Sequence, residues 1–290
     1  MKTLIFGKSG QVAWELQRTC AVRGALLSVG SHEVDFSNPD SIVRTIRDYS
    51  PSHIINAAAY TAVDKAETNR EIADQINGYA VGIIAEEAKK LGAKFVHYST
   101  DYVFDGTKST AYVESDAASP INNYGKSKSL GERLIAQCCG EYVILRVSWV
   151  YGARGANFLK TMVRLGAERE SLSVVDDQVG SPTWCRDIAE ATAQIIADRD
   201  FANKIGLYHL SAQGNVSWFG FATEIFKQYR LKFGDDALKI RNLERIVSSQ
   251  YPTPAERPKN SVMNSEKINN VFGIQLPQWN ESLTKVIESV

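Results

Sequence analysis

Residues 120–128 read Pro120-Ile121-Asn122-Asn123-Tyr124-Gly125-Lys126-Ser127-Lys128. On a helix, Tyr124 and Lys128 stand about one turn apart and share a face. A neighbouring ammonium favours a phenolate and lowers a tyrosine pKa from about 10 toward neutrality. A phenol tuned in that way can protonate a carbonyl oxygen while hydride reaches the carbon, which together make a ketone reduction. Ser99 and Thr100 close an apolar run, and a hydroxyl placed there can hydrogen-bond the same oxygen. A tyrosine four residues before a lysine is common on surface helices, so the pair gains meaning only from its company.

That company begins at Gly7-Lys8-Ser9-Gly10-Gln11-Val12-Ala13, spaced G-x-x-G-x-x-A between an apolar run and a helical pattern. Gly7 permits a tight turn, Gly10 lets the backbone approach a pyrophosphate, and Ala13 lets the helix pack closely on a sheet. The helix start then offers free N–H groups and a positive dipole end to phosphates. A Walker A loop is excluded, because Lys8-Ser9 precedes the second glycine. In dinucleotide sites an acid at the end of the second strand holds the adenosine ribose. Here that position is Gly30, and Glu33 and Asp35 follow slightly later. Gly30 reads as permissive toward a 2′-phosphate, so NADPH or dual use is expected; a shift of Glu33 by one turn would suit NADH instead.

The elements that must position these residues follow from periodicity. Apolar runs at Thr3–Phe6, Ala25–Val29, His53–Asn56, Lys94–Ser99 and Tyr142–Val147 read as strands. Helical patterns separate them: from Gln11 to Cys20, after Asn38-Pro39, from about Arg70 to Leu91, and from about Asn123 to Cys138. Such alternation predicts an α/β fold with a doubly wound parallel sheet of the Rossmann kind. Past Trp149 the rhythm weakens. Helices near 158–169, 184–197 and 217–229 and a strand at 172–175 predict a smaller α/β lobe, with Pro252, Pro254, Pro258 and Pro277 in a loop-rich tail. The expected division is 1–149 plus part of 183–240 for the dinucleotide, and 150–182 with 241–290 for substrate.

Composition narrows the class. The 290 residues are 44% hydrophobic and 23% charged, with 33 basic against 33 acidic side chains. That balance describes a globular protein and lacks the basic excess of a nucleic-acid binder. Cys20, Cys138, Cys139 and Cys185 form no C-x-x-C pair, and Cys138 and Cys139 are neighbours, a poor geometry for bridging each other, so a reducing cytoplasm is expected. The N-terminal apolar run is too short for a signal peptide, and no run approaches a membrane span. His53 and His97 lie in apolar runs and read as ordinary strand residues.

Taken together, these residues resemble the extended short-chain dehydrogenase/reductase superfamily, and within it the family of dTDP-4-dehydrorhamnose reductases. The likeness spans nearly the whole chain. It rests on Phe6 to Val12, Asp35 to Pro39, Asn56 to Ala59, Thr61 to Glu67, His97 to Phe104, Tyr124-Gly125 with Lys128, and Ser148 to Tyr151. Asp177-Gln178 with Gly180, Pro182 and Thr183 continues it, and Tyr251 to Ala255 with Arg257-Pro258 closes it. The resemblance implies NADPH- or NADH-dependent reduction of the C4 ketone of a dTDP-linked keto-sugar, a step that feeds rhamnose to O antigen and lipopolysaccharide.

By motif match, Tyr124 is the implied proton donor, Lys128 the ribose-binding lysine, and Thr100 the third member of the set. Gly7, Gly10, Gln11 and Val12 would line the pyrophosphate, with Gly30, Asp35 and Phe36 toward the adenosine. Ala58, Ala59 and Tyr60 would pass beside the cofactor, and Tyr98 would lie near the nicotinamide. Thr100, Asp101 and Trp149 would touch the sugar nucleotide. The family often has glycine at Ala13 and an acid at Gly30; the second departure bears on the NAD preference. Some members use Mg²⁺ at a contact between two copies, for which Glu15 and Glu190 are candidates, and a homodimer is an expected assembly.

Other readings remain. Related dehydratases carry Thr-Asp-Glu where this chain has Thr100-Asp101-Tyr102, and the missing glutamate favours simple reduction. Reduction of another nucleotide-linked keto-deoxy-sugar is an alternative. So is a non-catalytic regulatory subunit, although the set Thr100, Tyr124 and Lys128 argues against that. Arg257 suits a bidentate pyrophosphate clamp; its plainer reading is a loop salt bridge. Trp184, Trp218 and Trp279 read as packing residues.

Overall fold

The computed structural model describes residues 1–138 and 140–290; Cys139 lies outside the described residues. The strands that matter are β1 (Lys2–Phe6), β2 (Ala25–Val29), β3 (His53–Asn56), β4 (Lys94–Thr100), β5 (Tyr142–Val147), β6 (Ser171–Val175), β7 (Gly206–His209) and β8 (Asn242–Ile246). The helices are α1 (Gln11–Ala21), α2 (Pro39–Tyr49), α3 (Ala80–Leu91), α4 (Asn123–Cys138), α5 (Phe158–Glu168), α6 (Cys185–Ala197), α7 (Trp218–Phe233), α8 (Glu266–Phe272) and α9 (Trp279–Ile287).

Among the described residues, six strands form one parallel sheet in the order β7-β5-β4-β3-β1-β2. Its central strands are apolar because both faces are covered: Leu4, Ile5 and Phe6 of β1 have no exposure. Ala13, Leu16 and Cys20 of α1 pack with Ile188 and Ile195 of α6 on one face. Ile42 and Ile46 of α2, Val81 and Ile84 of α3 and Ile135 of α4 cover the other. Asn38 caps α2, its side chain accepting from Asp40 N at 3.0 Å with Pro39 in the first turn.

The chain steps from β1 to β2 on one side and then crosses to β3 on the other. That reversal makes a crevice at the carboxyl ends of β1 and β3, where open α/β sheets hold ligands. Register brings the strand ends level: Phe6 pairs with Val29 and with Asn56. Gly7, Gly30 and Ala57 therefore emerge side by side.

Past Trp149 the chain builds a second hydrophobic cluster. Tyr151, Leu159, Leu172, Phe221, Ile225, Leu283 and Val286 fill it, and β8 pairs in parallel with β6. Several features differ from the sequence reading. β7 returns to the main sheet beside β5, a strand that its short Gly206–His209 run did not announce. Residues 268–276, expected with the smaller lobe, pack instead on the main sheet through Ile268, Phe272, Ile274 and Leu276. The 70–91 helical stretch contains a π-turn at Gln75–Tyr79. Among the described residues, no helix is long and apolar enough to cross a membrane.

Candidate active site

The turn after β1 has the geometry an anion needs. Gly7 has φ +108°, and a Cβ there would meet the Ala57 carbonyl at 2.7 Å. α1 begins at Gly10 with no side-chain cap and no acid in its first turn, so its first N–H groups and dipole remain uncompensated. Gln11 turns its side chain toward the smaller lobe, its Oε1 accepting from Asn157 Nδ2 at 2.9 Å. What it offers the crevice is its backbone. Val12 packs between the two hydrophobic clusters.

Beside this turn lies a cavity of about 480 Å³ lined by Gly7, Gly30, Asp35, Phe36, Ala58 and Ala59 together with Ile72 and Gln75. Phe36 stacks edge-on against Phe6, with ring centroids 5.4 Å apart. Asp35 spends one carboxylate oxygen on Ser37, accepting from its N–H at 2.8 Å and its hydroxyl at 2.7 Å. At the rim, Glu33 fills the role left by Gly30. Its Oε2 accepts the Gly30 N–H at 2.9 Å and its Oε1 accepts from Lys8 Nζ at 2.6 Å. Tyr60 is steadied by Asn77 of the π-turn, whose Oδ1 accepts the Tyr60 N–H at 2.8 Å and whose Nδ2 donates to Ser127 of α4 at 2.9 Å. π-turns often mark functional positions, and this one lets α4 approach closely: a Cβ on Gly131 would collide with the Asn77 carbonyl.

α4 is anchored at its start. Asn122 Oδ1 accepts the Gly125 N–H at 2.8 Å, and Glu67 Oε1 accepts the Asn123 N–H at 2.8 Å. A Cβ on Gly125 would strike the Tyr102 carbonyl. Tyr124 is thereby held over the end of β4. Its phenol reaches the Thr100 hydroxyl, and burial pushes it up to about 12.

The expectation that Lys128 lowers the Tyr124 pKa is not met. Lys128 is 2% exposed, and its Nζ donates to the Tyr98 carbonyl at 2.5 Å with His97 Nε2 at 3.2 Å. Burial pushes Lys128 itself down to about 8, and desolvation governs both groups. Tyr98 differs likewise. Its phenol is buried against Thr192, 2.6 Å away on the α6 side, so its carbonyl, rather than its ring, faces the site.

Asp101 is 3% exposed and its carboxylate is spent inside the protein. Oδ1 accepts from Thr100 at 3.0 Å and Oδ2 from Ser148 at 3.0 Å, and Ser261 adds a third hydroxyl. It therefore orients Thr100 and presents no free oxygen of its own.

A larger cleft of about 1510 Å³ opens between residues 105–107, β6 and the 248–259 loop. Arg257 and Asp64 share its wall, joined by two bonds from one guanidinium nitrogen at 3.1 and 3.0 Å. The salt-bridge reading of Arg257 is thus present beside the clamp reading. Trp149 has φ +44° and lies flat on Trp218, with centroids 3.4 Å apart and planes within 1°. Trp218 packs in turn on Phe158, ring centroids 4.5 Å apart, and also lines the cleft.

Sequence reasoning passed over three residues. Tyr102 stands where related dehydratases have glutamate, yet its ring meets Tyr124 edge-on at 5.9 Å and its phenol bonds Arg257, linking the Tyr124–Thr100 pair to the cleft. Asn77 carried no motif. His97 sat in an apolar strand, the commonest setting for a histidine with no role.

For a metal, the described residues bring together no group of three or more His, Cys, Asp or Glu side chains. Glu15 is paired with Arg18 at 3.2 Å and Arg186 at 3.3 Å, and Glu190 is exposed.

Comparison with known proteins bears directly on this arrangement. The family model described as the RmlD substrate binding domain matches residues 1–290. A dTDP-4-dehydrorhamnose reductase of Burkholderia thailandensis is 46% identical over 284 residues, covering 96% of this chain and 95% of the relative. That of Escherichia coli K12 is 43% identical, covering 100% and 98%. The crystal structure of a Bacillus anthracis dTDP-4-dehydrorhamnose reductase in complex with NADP superposes with a TM-score of 0.92 at 35% identity, covering both chains fully.

Proposed function

The chain belongs to the RmlD substrate-binding-domain family, and we infer from it that the protein is an NAD(P)H-dependent oxidoreductase that reduces the C4 ketone of dTDP-4-dehydro-L-rhamnose to give dTDP-L-rhamnose. The observation that carries this is Tyr124, held by α4 over Thr100 at the carboxyl end of β4, in a chain that its dTDP-4-dehydrorhamnose reductase relatives match end to end.

The residues present fit a dinucleotide. An uncapped helix start, a glycine whose Cβ would strike Ala57, and the cavity between Gly30, Phe36 and Ala58 answer its diphosphate and adenosine. Gly7, Gly10, Gln11 and Val12 would hold the diphosphate, Asp35 and Phe36 the adenine, and Ala58, Ala59 and Tyr60 the passage toward Lys128. When bound, the cofactor supplies the hydride. Glu33 at the ribose position suits NADH, and Lys8 beside it suits the 2′-phosphate of NADPH, so both cofactors are used. Residues 1–149 with part of 183–240 form the cofactor lobe; 150–182 with much of 241–290 form the substrate lobe.

Tyr124 carries its proton at working pH, since burial favours the neutral phenol. The oxygen of a ketone under reduction becomes more basic than a phenolate, so the proton leaves Tyr124 Oη for it. Thr100, fixed by Asp101, steers the phenol. Arg257, in the cleft wall, and Trp149, stacked on the cleft-lining Trp218, would meet the sugar nucleotide. A homodimer in the cytoplasm suits this reading. A Mg²⁺ between copies would have to draw Glu15 away from its arginines.

The test is oxidation of NADPH and NADH on addition of dTDP-4-dehydro-L-rhamnose, followed by nicotinamide absorbance. Rapid sugar-dependent oxidation is expected. A folded protein that binds dinucleotide and oxidises neither cofactor would overturn the assignment.

A further inference from the structure

The hydrogen-bond directions around Lys128 are fixed by their first link. The Ala58 N–H donates to Asn56 Oδ1 at 3.1 Å. The other end of that amide, Asn56 Nδ2, therefore faces His97 Nδ1 at 3.2 Å. An amide nitrogen has only hydrogens to give, so His97 Nδ1 accepts, and a neutral imidazole then carries its proton on Nε2. Nε2 stands 3.2 Å from Lys128 Nζ. Two donors do not bond each other. An Nε2–H needs a lone pair, which Lys128 offers only as an uncharged amine that still donates to the Tyr98 carbonyl.

Asn56 and His97 have no exposure and Lys128 has 2%. Burial holds His97 well below its ordinary range, so it stays neutral. On α4 itself, Glu132 lies one turn beyond Lys128 and Tyr124 one turn before it. Glu132 is paired with Arg146 of β5, which donates to it at 2.8 and 2.7 Å, and His209 of β7 faces that arginine at 3.5 Å; the Glu132 charge still favours the Lys128 ammonium, and burial outweighs it. From the π-turn, Asn77 brings no charge.

We propose that His97, locked as its Nε2–H tautomer by Asn56, is a positioning residue that favours the uncharged amine of Lys128 in alkaline solution until a dinucleotide binds, whereupon Lys128 Nζ takes a proton from solvent. The anionic diphosphate and the ribose hydroxyls favour an ammonium that the His97 side disfavours. The step is a plain protonation, amine plus proton giving ammonium, with nothing oxidised. It rests on the reading of Lys128 as the ribose-binding group.

Two measurements on the whole chain test it, and neither involves the sugar. Nitrogen-15 NMR of the histidines of the protein alone should show His97 neutral and protonated at Nε2. Calorimetric titration with NADH at pH 9, in two buffers of unlike ionisation enthalpy, should show uptake of most of one proton per NADH bound. NADH is the probe because it lacks a 2′-phosphate. In Asn56→Asp the chain of bonds reverses: His97 should move its proton to Nδ1, and the uptake should fall close to zero.

An Nδ1–H tautomer or an imidazolium in the unmodified protein, or a buffer-independent heat, overturns the proposal. So does the absence of any binding heat with either NADH or NADPH. If Asn56→Asp does not fold, the two measurements on the unmodified protein decide alone. A protein that passes both yet fails to reduce the dTDP-sugar would overturn the function and leave this inference standing.

Discussion

The Thr100 hydroxyl donates to Asp101 Oδ1 at 3.0 Å and accepts the Tyr102 N–H at 3.2 Å. Its proton is committed to the carboxylate, so what Thr100 offers Tyr124 is a lone pair. Asp101 thereby decides which way the hydroxyl points. Burial raises its carboxyl to about 6, against an ordinary value of 3.8.

That shift has a sign. Between about pH 4 and 6 the folded protein binds the Asp101 proton more tightly than the unfolded chain does. Asp101's contribution to stability is therefore present below pH 4 and lost as pH rises through 6, a change of about 3 kcal/mol. Asp101→Asn should remove this slope. The melting temperature of the variant, relative to the unmodified protein, should be more favourable at pH 7 than at pH 4.5. A constant difference across that range would show that Asp101 does not titrate there.

Tyr124→Phe removes the phenol proposed as proton donor while keeping the ring that meets Tyr102. Turnover should fall about a hundred- to ten-thousandfold, with dinucleotide affinity within a few-fold of the original. Near-normal turnover would move the proton to another group.

Glu33 accepts from Gly30 N and Lys8 Nζ at the cavity rim. Glu33→Ala frees Lys8 and removes the acceptor proposed for a ribose hydroxyl. The ratio of dissociation constants should shift roughly tenfold in favour of NADPH over NADH, about the worth of one charge-assisted hydrogen bond. Fluorescence titration of the two cofactors would read it, and an unchanged ratio would remove Glu33 from the ribose site.

Arg257 and Asp64 separate two roles by paired variants. If Arg257 clamps the sugar nucleotide, Arg257→Ala raises the KM for it roughly tenfold, while Asp64→Ala, which frees the guanidinium, leaves KM equal or lower. If the pair merely ties the 252–258 loop to the 63–66 helix, both variants raise KM alike.

Much of this was legible before folding, because the cofactor half is built from local rules. An apolar run, a glycine turn and a helix of period 3.6 place Gly7, Gly10 and Ala13 without long-range information. The spacing of Tyr124 and Lys128 is likewise a property of one helix. What the chain did not reveal depends on partners far apart in sequence. Lys128 finds His97 and the Tyr98 carbonyl rather than Tyr124, because β4 lies under α4. Asp101 is enclosed by Ser148 and Ser261 from two other segments. β7 joins the sheet some sixty residues after β5, and its four residues carry too little periodicity to declare themselves. Ile268 and Phe272, four apart on α8, do carry a helical apolar signal, but nothing local states which core receives it.

The parallel indoles of Trp149 and Trp218 give the cleft an optical property of its own. Two chromophores this close and this nearly parallel couple their excited states, so a paired signal in near-ultraviolet circular dichroism is the expected outcome. Gly180 lies against the Trp149 indole where any Cβ would collide, and the left-handed backbone at Trp149 holds the ring in place. If the proposed sugar nucleotide fills this cleft, it meets Trp218 and disturbs the coupling, so the protein would report its own occupancy without an added dye.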